Sequence, residues 1–209
     1  MNASELSRLM HFVARHMIAS EAQLTDLDRA TGDGDHGTGM QRGFSAVEIL
    51  LTQEPGDDIG ILLTDIGSKL MSSMGGASGA IFGTLFRAGG KSLSGEQVLT
   101  TPLLARFLRS GLEAVSQRGG ARPGDKTMVD ALVAAADAAQ LLISEPLYDA
   151  LPKIAQAARS GSEQTRQMVA KFGRARALGE RAIGHLDPGA VSMSLILMFM
   201  AEGIKRQEE

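Results

Sequence analysis

Ser4-Glu5-Leu6-Ser7-Arg8-Leu9-Met10-His11-Phe12-Val13-Ala14-Arg15-His16-Met17 decides the class of fold. Leu6, Leu9, Met10, Val13 and Met17, with Leu24 beyond them, recur mostly at spacings of three and four. That places them on one face of a long helix, with Ser4 as the expected cap. Outward from it, the same periodicity predicts helices over 40–53, 57–73, 78–88, 102–117, 126–143, 147–172 and 188–205. Glycine marks many of the breaks, at 32–39, 75–79, 89–90, 119–124 and 179–189. Pro55, Pro102, Pro146 and Pro188 fall near helix starts, where a missing N–H costs little. Composition agrees: aromatics are 4%, Trp is 0 and Tyr is 1, so strand-favouring residues are sparse. With no linker and no internal repeat, the expectation is an all-α single domain over 1–209. It is read as an antiparallel bundle of about eight helices joined by short loops.

Charge and composition exclude several functions. The formal net charge of -3 lacks the basic footprint of a non-specific nucleic-acid binder. With Cys at 0, disulfides and thiolate metal sites are impossible. The start carries no basic region followed by an apolar run, so no secretory signal is expected. Val191 to Ala201 is shorter than the about 20 residues that span a bilayer. The expected setting is cytoplasmic, without membrane or nucleic-acid partners.

The polar residues concentrate in the glycine-rich breaks. In antiparallel helices alternate connections share an end, so these loops can gather into one site. The richest is Asp28-Arg29-Ala30-Thr31-Gly32-Asp33-Gly34-Asp35-His36-Gly37-Thr38-Gly39. Like charges 4 Å apart repel by about 4 kcal/mol at an effective dielectric of 20. A hard cation such as Mg²⁺ removes that cost and takes carboxylate and phosphate oxygens together. Metal binding is the favoured reading for Asp33-Gly34-Asp35-His36, while Asp28 alone reads as a solvated turn residue. An EF-hand begun at Asp33 fails, because Phe44 would stand where a bidentate Glu is needed. Gly32-Asp33-Gly34-Asp35-His36-Gly37 matches a dinucleotide fingerprint in spelling only, because a helix precedes it where that motif needs a strand.

Gly75-Gly76-Ala77-Ser78-Gly79 opens a helix. A helix N-terminus offers free N–H groups to phosphate, and Ser78 adds a hydroxyl; the same residues read equally well as a tight interhelical turn. Gly119-Gly120-Ala121-Arg122-Pro123-Gly124-Asp125-Lys126-Thr127 is not a Walker loop, since Asp125 intervenes and a helix precedes. Arg174, Arg176 and Arg181 precede His185-Leu186-Asp187-Pro188-Gly189, where Asp187 reads as an N-cap. Basic residues here are most often a solvated face; beside an Mg–phosphate site they would position phosphoryl oxygens. His11 and His16 receive no role, and the 11 Met residues read as core filler. No nucleophile elbow or triad is present, so the chemistry points to phosphoryl transfer, which needs little beyond positioning and charge stabilisation.

Four of these motifs, in the same order from first helix to last, resemble the nucleotide-binding L subunits of bacterial dihydroxyacetone kinases. They are Gly32–Gly37, Gly75–Gly79, Pro123-Gly124-Asp125-Lys126-Thr127-Met128 and Gly179–Gly189. The resemblance implies an antiparallel barrel of eight helices with the nucleotide at one end. It implies that Asp28, Asp33 and Asp35 hold two Mg²⁺ ions. By matching position, His36, Gly37, Thr38, Gly39, Ala77 and Ser78 would contact the phosphates. Gly119 and Met128 would lie near the base, and Arg174 with Asp187, Pro188 and Gly189 would close the site. Gly39 stands where the family's acidic loop is expected to carry Asn.

Two versions of the family's kinase exist. A fused form consumes ATP, whereas a separate subunit retains ADP and is recharged by a phosphohistidine of a phosphotransferase-system partner. Nothing in this chain could be the substrate domain that binds the ketose covalently through His, so the stand-alone length favours the separate-subunit form. The implied partners are a dihydroxyacetone-binding K subunit and that phosphohistidine protein. The resemblance also admits a homodimer and a transcriptional regulator that reads the nucleotide state. An ATP-dependent subunit for a related ketose such as erythrulose is the alternative enzyme, and a nucleotide-sensing module the alternative outside catalysis.

Overall fold

The computed structural model describes residues 1–206, and helices account for nearly all of the regular structure there. The α-helices are α1 (Ala3–Ala19), α2 (Glu21–Arg29), α3 (His36–Leu50), α4 (Ile59–Ser73) and α5 (Gly76–Ser92). They continue as α6 (Thr101–Gly119), α7 (Met128–Leu141), α8 (Leu147–Gln164) and α9 (Pro188–Arg206). Short 3₁₀ turns occupy Thr165–Gln167 and Arg174–Ala182.

The helices close into a ring. Each helix from α3 to α9 packs on the next, α9 returns to α1, and α1 packs on α3. Eight helices therefore form the wall expected from the resemblance, and α2 is a ninth that lies against α3 at one end. Short connections force consecutive helices to run antiparallel from α3 to α8. The apolar face that opened the sequence analysis points inward: Leu6, Leu9, Met10, Val13, Met17 and Leu24 are all fully buried. Met10, Met17, Met40, Met74, Met128, Met193 and Met200 are buried too, as filler for an irregular interior.

Several boundaries differ from the sequence reading for identifiable reasons. The first helix is capped by Asn2, which exchanges bonds with Glu5, so Ser4 lies inside the helix. It also breaks at Ser20, whose hydroxyl bonds back to the His16 carbonyl and whose residue then heads α2. α3 begins at His36, four residues before the expected start, so Gly37 and Gly39 are helical. Gly37 is small because α2 is close: a Cβ there would meet the Glu21 carbonyl oxygen at 2.3 Å. α8 ends at Gln164, well short of 172, and 165–187 forms a long connection. α4 and α5 approach closely at glycines, among them Gly67, where a Cβ would lie 2.6 Å from the Arg87 nitrogen.

Candidate functional site

One end of the ring gathers the α2–α3, α4–α5, α6–α7 and α8–α9 connections around a cleft of about 540 Å³. Chain alternation brings them there, and the cleft lies between helix ends, where small-molecule sites commonly form.

The acidic wall comes from α2 and the loop after it. Asp28 sits in the last turn of α2, Asp33 and Asp35 in the loop, and Gly34 turns the chain at φ 77°. One carboxylate oxygen from each lies within 4.8 Å of the others. At that separation and an effective dielectric of 20, each pair repels by about 3.5 kcal/mol. An all-oxygen donor set of this size suits Mg²⁺, which keeps open positions for phosphate and water. Asp28 also accepts the His36 N–H at 3.2 Å, so the first residue of α3 is tied to the cluster. Arg174 reaches across the cleft to Asp33 at 2.8 Å.

Opposite lies the start of α5. Its cap is Gly75 at φ 74°, with no side chain bonded to the first-turn N–H groups. Those N–H groups are the free donors that an anion needs. Arg42, from α3, donates through Nε to the Ser73 carbonyl at 3.0 Å and through a second nitrogen to the Met74 carbonyl. It thereby holds the end of α4 and the entry to the glycine turn. His36 links the two walls: Nδ1 is 3.1 Å from the Ser78 hydroxyl and Nε2 is 2.8 Å from that of Ser192. Burial lowers the His36 pKa despite the opposing pull of Asp28, Asp35 and the Pro188 carbonyl, so the ring is neutral near pH 7.

The third wall is the α6–α7 loop and the α8–α9 connection. Thr127 and Asp130 form a reciprocal cap at the start of α7. Lys126, at φ 60° and 2% exposed, is the buried cation of this wall. Its ammonium donates to the Thr165 carbonyl at 2.5 Å and to the His185 carbonyl. Desolvation lowers its pKa. Asp187 caps α9 through a 2.7 Å bond from the Ala190 N–H, the role its sequence position predicts. Burial pushes its carboxyl up to about 7; Asp130 and Asp28 add to the shift, while the Ala190 N–H and Lys126 oppose it. Ile81, Val115, Met128 and Phe172 supply an apolar patch in the same cleft.

The structure brings together Asp28, Asp33, Asp35, His36, Gly39, Ala77, Ser78, Gly119, Met128, Arg174, Asp187, Pro188 and Gly189 as cleft-lining residues. Gly37 and Thr38 stand outside that lining: Gly37 packs on α2, and the Thr38 hydroxyl bonds to the Asp35 carbonyl. Lys126, Arg42 and Phe172 line the cleft although sequence reasoning gave them no role. Only the buried environment marks Lys126, and no local pattern distinguishes Arg42 or Phe172 from surface residues. Asp125, whose place in the sequence only excluded a Walker loop, is buried, accepts from the Arg122 N–H at 2.8 Å and pairs with Lys171 at 2.8 Å.

The model of the DAK2 domain matches residues 30–202. The chain belongs to the DAK2-domain family. This DAK2 chain is 42% identical over 186 residues to the ADP-binding subunit DhaL of the PEP-dependent dihydroxyacetone kinase of Escherichia coli K12, covering 87% of this chain and 88% of that one. It is 37% identical over 185 residues to L-erythrulose kinase of Pectobacterium atrosepticum, covering 87% of this chain but 31% of that one. Among solved structures, the dihydroxyacetone kinase of C. freundii in complex with AMP-PNP and Mg²⁺ superposes with a TM-score of 0.75 at 29% identity. That match covers 94% of this DAK2 chain and 33% of the larger one. No described helix is long and apolar enough to cross a membrane.

Proposed function

We propose that this DAK2 chain is the ADP-binding subunit of a dihydroxyacetone kinase of the phosphotransferase-linked type. A phosphohistidine on a partner converts bound ADP to ATP, and the terminal phosphoryl group then passes to a hydroxyl of dihydroxyacetone on a separate subunit, regenerating ADP. The observation that carries this reading is one cleft with three clustered carboxylates on one wall and an uncapped helix N-terminus on the other. The chain's similarity over most of its length to a subunit of that type supports it.

Asp28, Asp33 and Asp35 would hold Mg²⁺, up to two ions. Bound there, Mg²⁺ would neutralise phosphate oxygens and the charge that develops in transfer. The first-turn N–H groups of α5 and the Ser78 hydroxyl bind and orient phosphate oxygens. His36 fixes Ser78 and is itself fixed by Ser192. Arg174 supplies a mobile positive charge at the mouth. Ile81, Met128 and Phe172 exclude water from the apolar end, where a nucleobase fits, and Asp187 keeps the start of α9 against it.

The test is a reconstituted transfer with the ketose-binding subunit, a phosphohistidine donor and nucleotide at the level of the chain itself. Many turnovers of dihydroxyacetone phosphate per nucleotide support the reading; product limited to the nucleotide supplied refutes it. A second reading, ATP-consuming transfer to a ketose such as erythrulose, is favoured by the similarity to L-erythrulose kinase. It predicts turnover with ATP alone and no use of the phosphohistidine.

A further inference from the structure

The connection 166–185 is a loop whose two ends are fastened together. The Gly184 N–H donates to the Arg166 carbonyl at 2.7 Å, and Arg166 Nη1 returns a bond to the Gly184 carbonyl at 2.9 Å. Lys126 clips the base from beneath through Thr165 and His185, and Lys171 is held by Asp125. Beyond that base, residues 173–183 bend at Gly173 (φ 63°) and Gly179 (φ 56°), and their backbone bonds are local to the segment. Among the described residues, the charged contact that carries this segment across the cleft is Arg174 to Asp33. The pair is solvent-accessible, with the Arg174 side chain 69% and Asp33 34% exposed. Asp33 is also one of the three carboxylates close enough to share a cation.

We infer that Arg174 is a resident counter-ion of the acidic loop. In the metal-free chain it latches 173–183 across the cleft through Asp33, and a divalent cation at Asp28, Asp33 and Asp35 displaces it. One carboxylate cannot give its full charge to both partners, so cation and latch compete. Cation binding therefore loosens the strap and frees the guanidinium to turn toward a phosphoryl group. An exposed ion pair is weak enough for a divalent ion to exchange with it, which makes the latch reversible. This inference rests on the metal reading proposed above and adds the order of events at that site.

The probe is Mn²⁺ alone, with the nucleotide-free full chain. Its affinity is measured by titration calorimetry, and strap motion by hydrogen exchange of peptides spanning 173–183. Arg174→Gln removes the competitor, and Arg176→Gln, on the same strap but outside the latch, controls for lost positive charge. The expected result is Mn²⁺ binding about three- to fivefold tighter in R174Q and under about twofold tighter in R176Q, the scale of one exposed ion pair. In the wild type Mn²⁺ should speed exchange of 173–183, whereas in R174Q exchange should already be fast and indifferent to Mn²⁺. Unchanged or weaker Mn²⁺ binding in R174Q, with binding still abolished by Asp33→Asn, overturns the latch and leaves the metal site standing. Slower strap exchange on adding Mn²⁺ to the wild type also overturns it. Absence of Mn²⁺ binding in both wild type and R174Q removes the metal reading itself, and the latch with it.

Discussion

Replacing Asp187 with Asn should stabilise the nucleotide-free chain, increasingly so as pH rises. The Asp187 carboxyl ionises at about 7 in the fold against an ordinary value of 3.8. Burial is the main cause, and neighbouring Asp130 and Asp28 add to it. Between those two values the folded chain keeps a proton that the unfolded chain has released, so stability falls as pH rises. This contribution is fully present below the unfolded value, declines through the interval and is gone above about 7. About three pH units at 1.36 kcal/mol each amount to about 4 kcal/mol at pH 8, an upper bound that relaxation of the cleft reduces. By the same linkage the stability lost is under about 1 kcal/mol at pH 4 and about 1.7 kcal/mol at pH 5. Asn keeps an oxygen to cap the Ala190 N–H and never ionises, so it escapes this cost. For about 200 residues, 1 kcal/mol moves Tm by about 2–4 °C, so D187N should melt about 5–10 °C above wild type at pH 8. The assay is differential scanning calorimetry from pH 4 to 8.5 with a chelator present. Parallel Tm profiles, or a D187N chain that falls further behind as pH rises, would refute the argument. The second outcome would mean that ionised Asp187 is held by Lys126.

Three further outcomes follow from the same structure. Asp35→Asn should weaken Mg²⁺-dependent ADP binding by about tenfold or more while leaving metal-free binding nearly unchanged, a comparison that calorimetry makes directly. Gly67→Ala places a methyl 2.6 Å from the Arg87 backbone nitrogen, so α4 and α5 must part; the expected loss is about 1–3 kcal/mol by urea unfolding, with the acidic cluster intact. Lys126→Met leaves two carbonyls without their donor; a loss of about 2–4 kcal/mol and faster proteolysis within 166–185 are expected, and an unchanged Tm would contradict the strut role.

Local chemistry accounts for what could be read along the chain. Asp28, Asp33 and Asp35 lie within eight residues, so their mutual approach is nearly guaranteed by chain length. Gly75–Gly79 and Asp187-Pro188 are likewise capping signals that act over one turn. The missed features are long-range. The break at Ser20 is one: its hydroxyl bonds back only four residues, to the His16 carbonyl, and it is the packing of α2 on α3 that turns the chain there. Gly37 and Gly39 read as helix breakers, yet both are helical, and at Gly37 the glycine is required because α2 packs too close for a side chain. Lys126 carries no local signal of a role, and burial against Thr165 and His185 makes it a strut.

Residue order along the chain suffices to make it helical, to set where its turns lie and to fix which turns carry carboxylates or free N–H groups. Those properties follow from spacing and residue type over a few positions. Tertiary structure alone decided that four separate turns meet at one end of the ring. It also decided that His36 spans two walls, and that Arg174 finds Asp33 from 141 positions away. Such meetings depend on how helices pack and close, and the free energy that selects them is shared among residues distributed over the whole core.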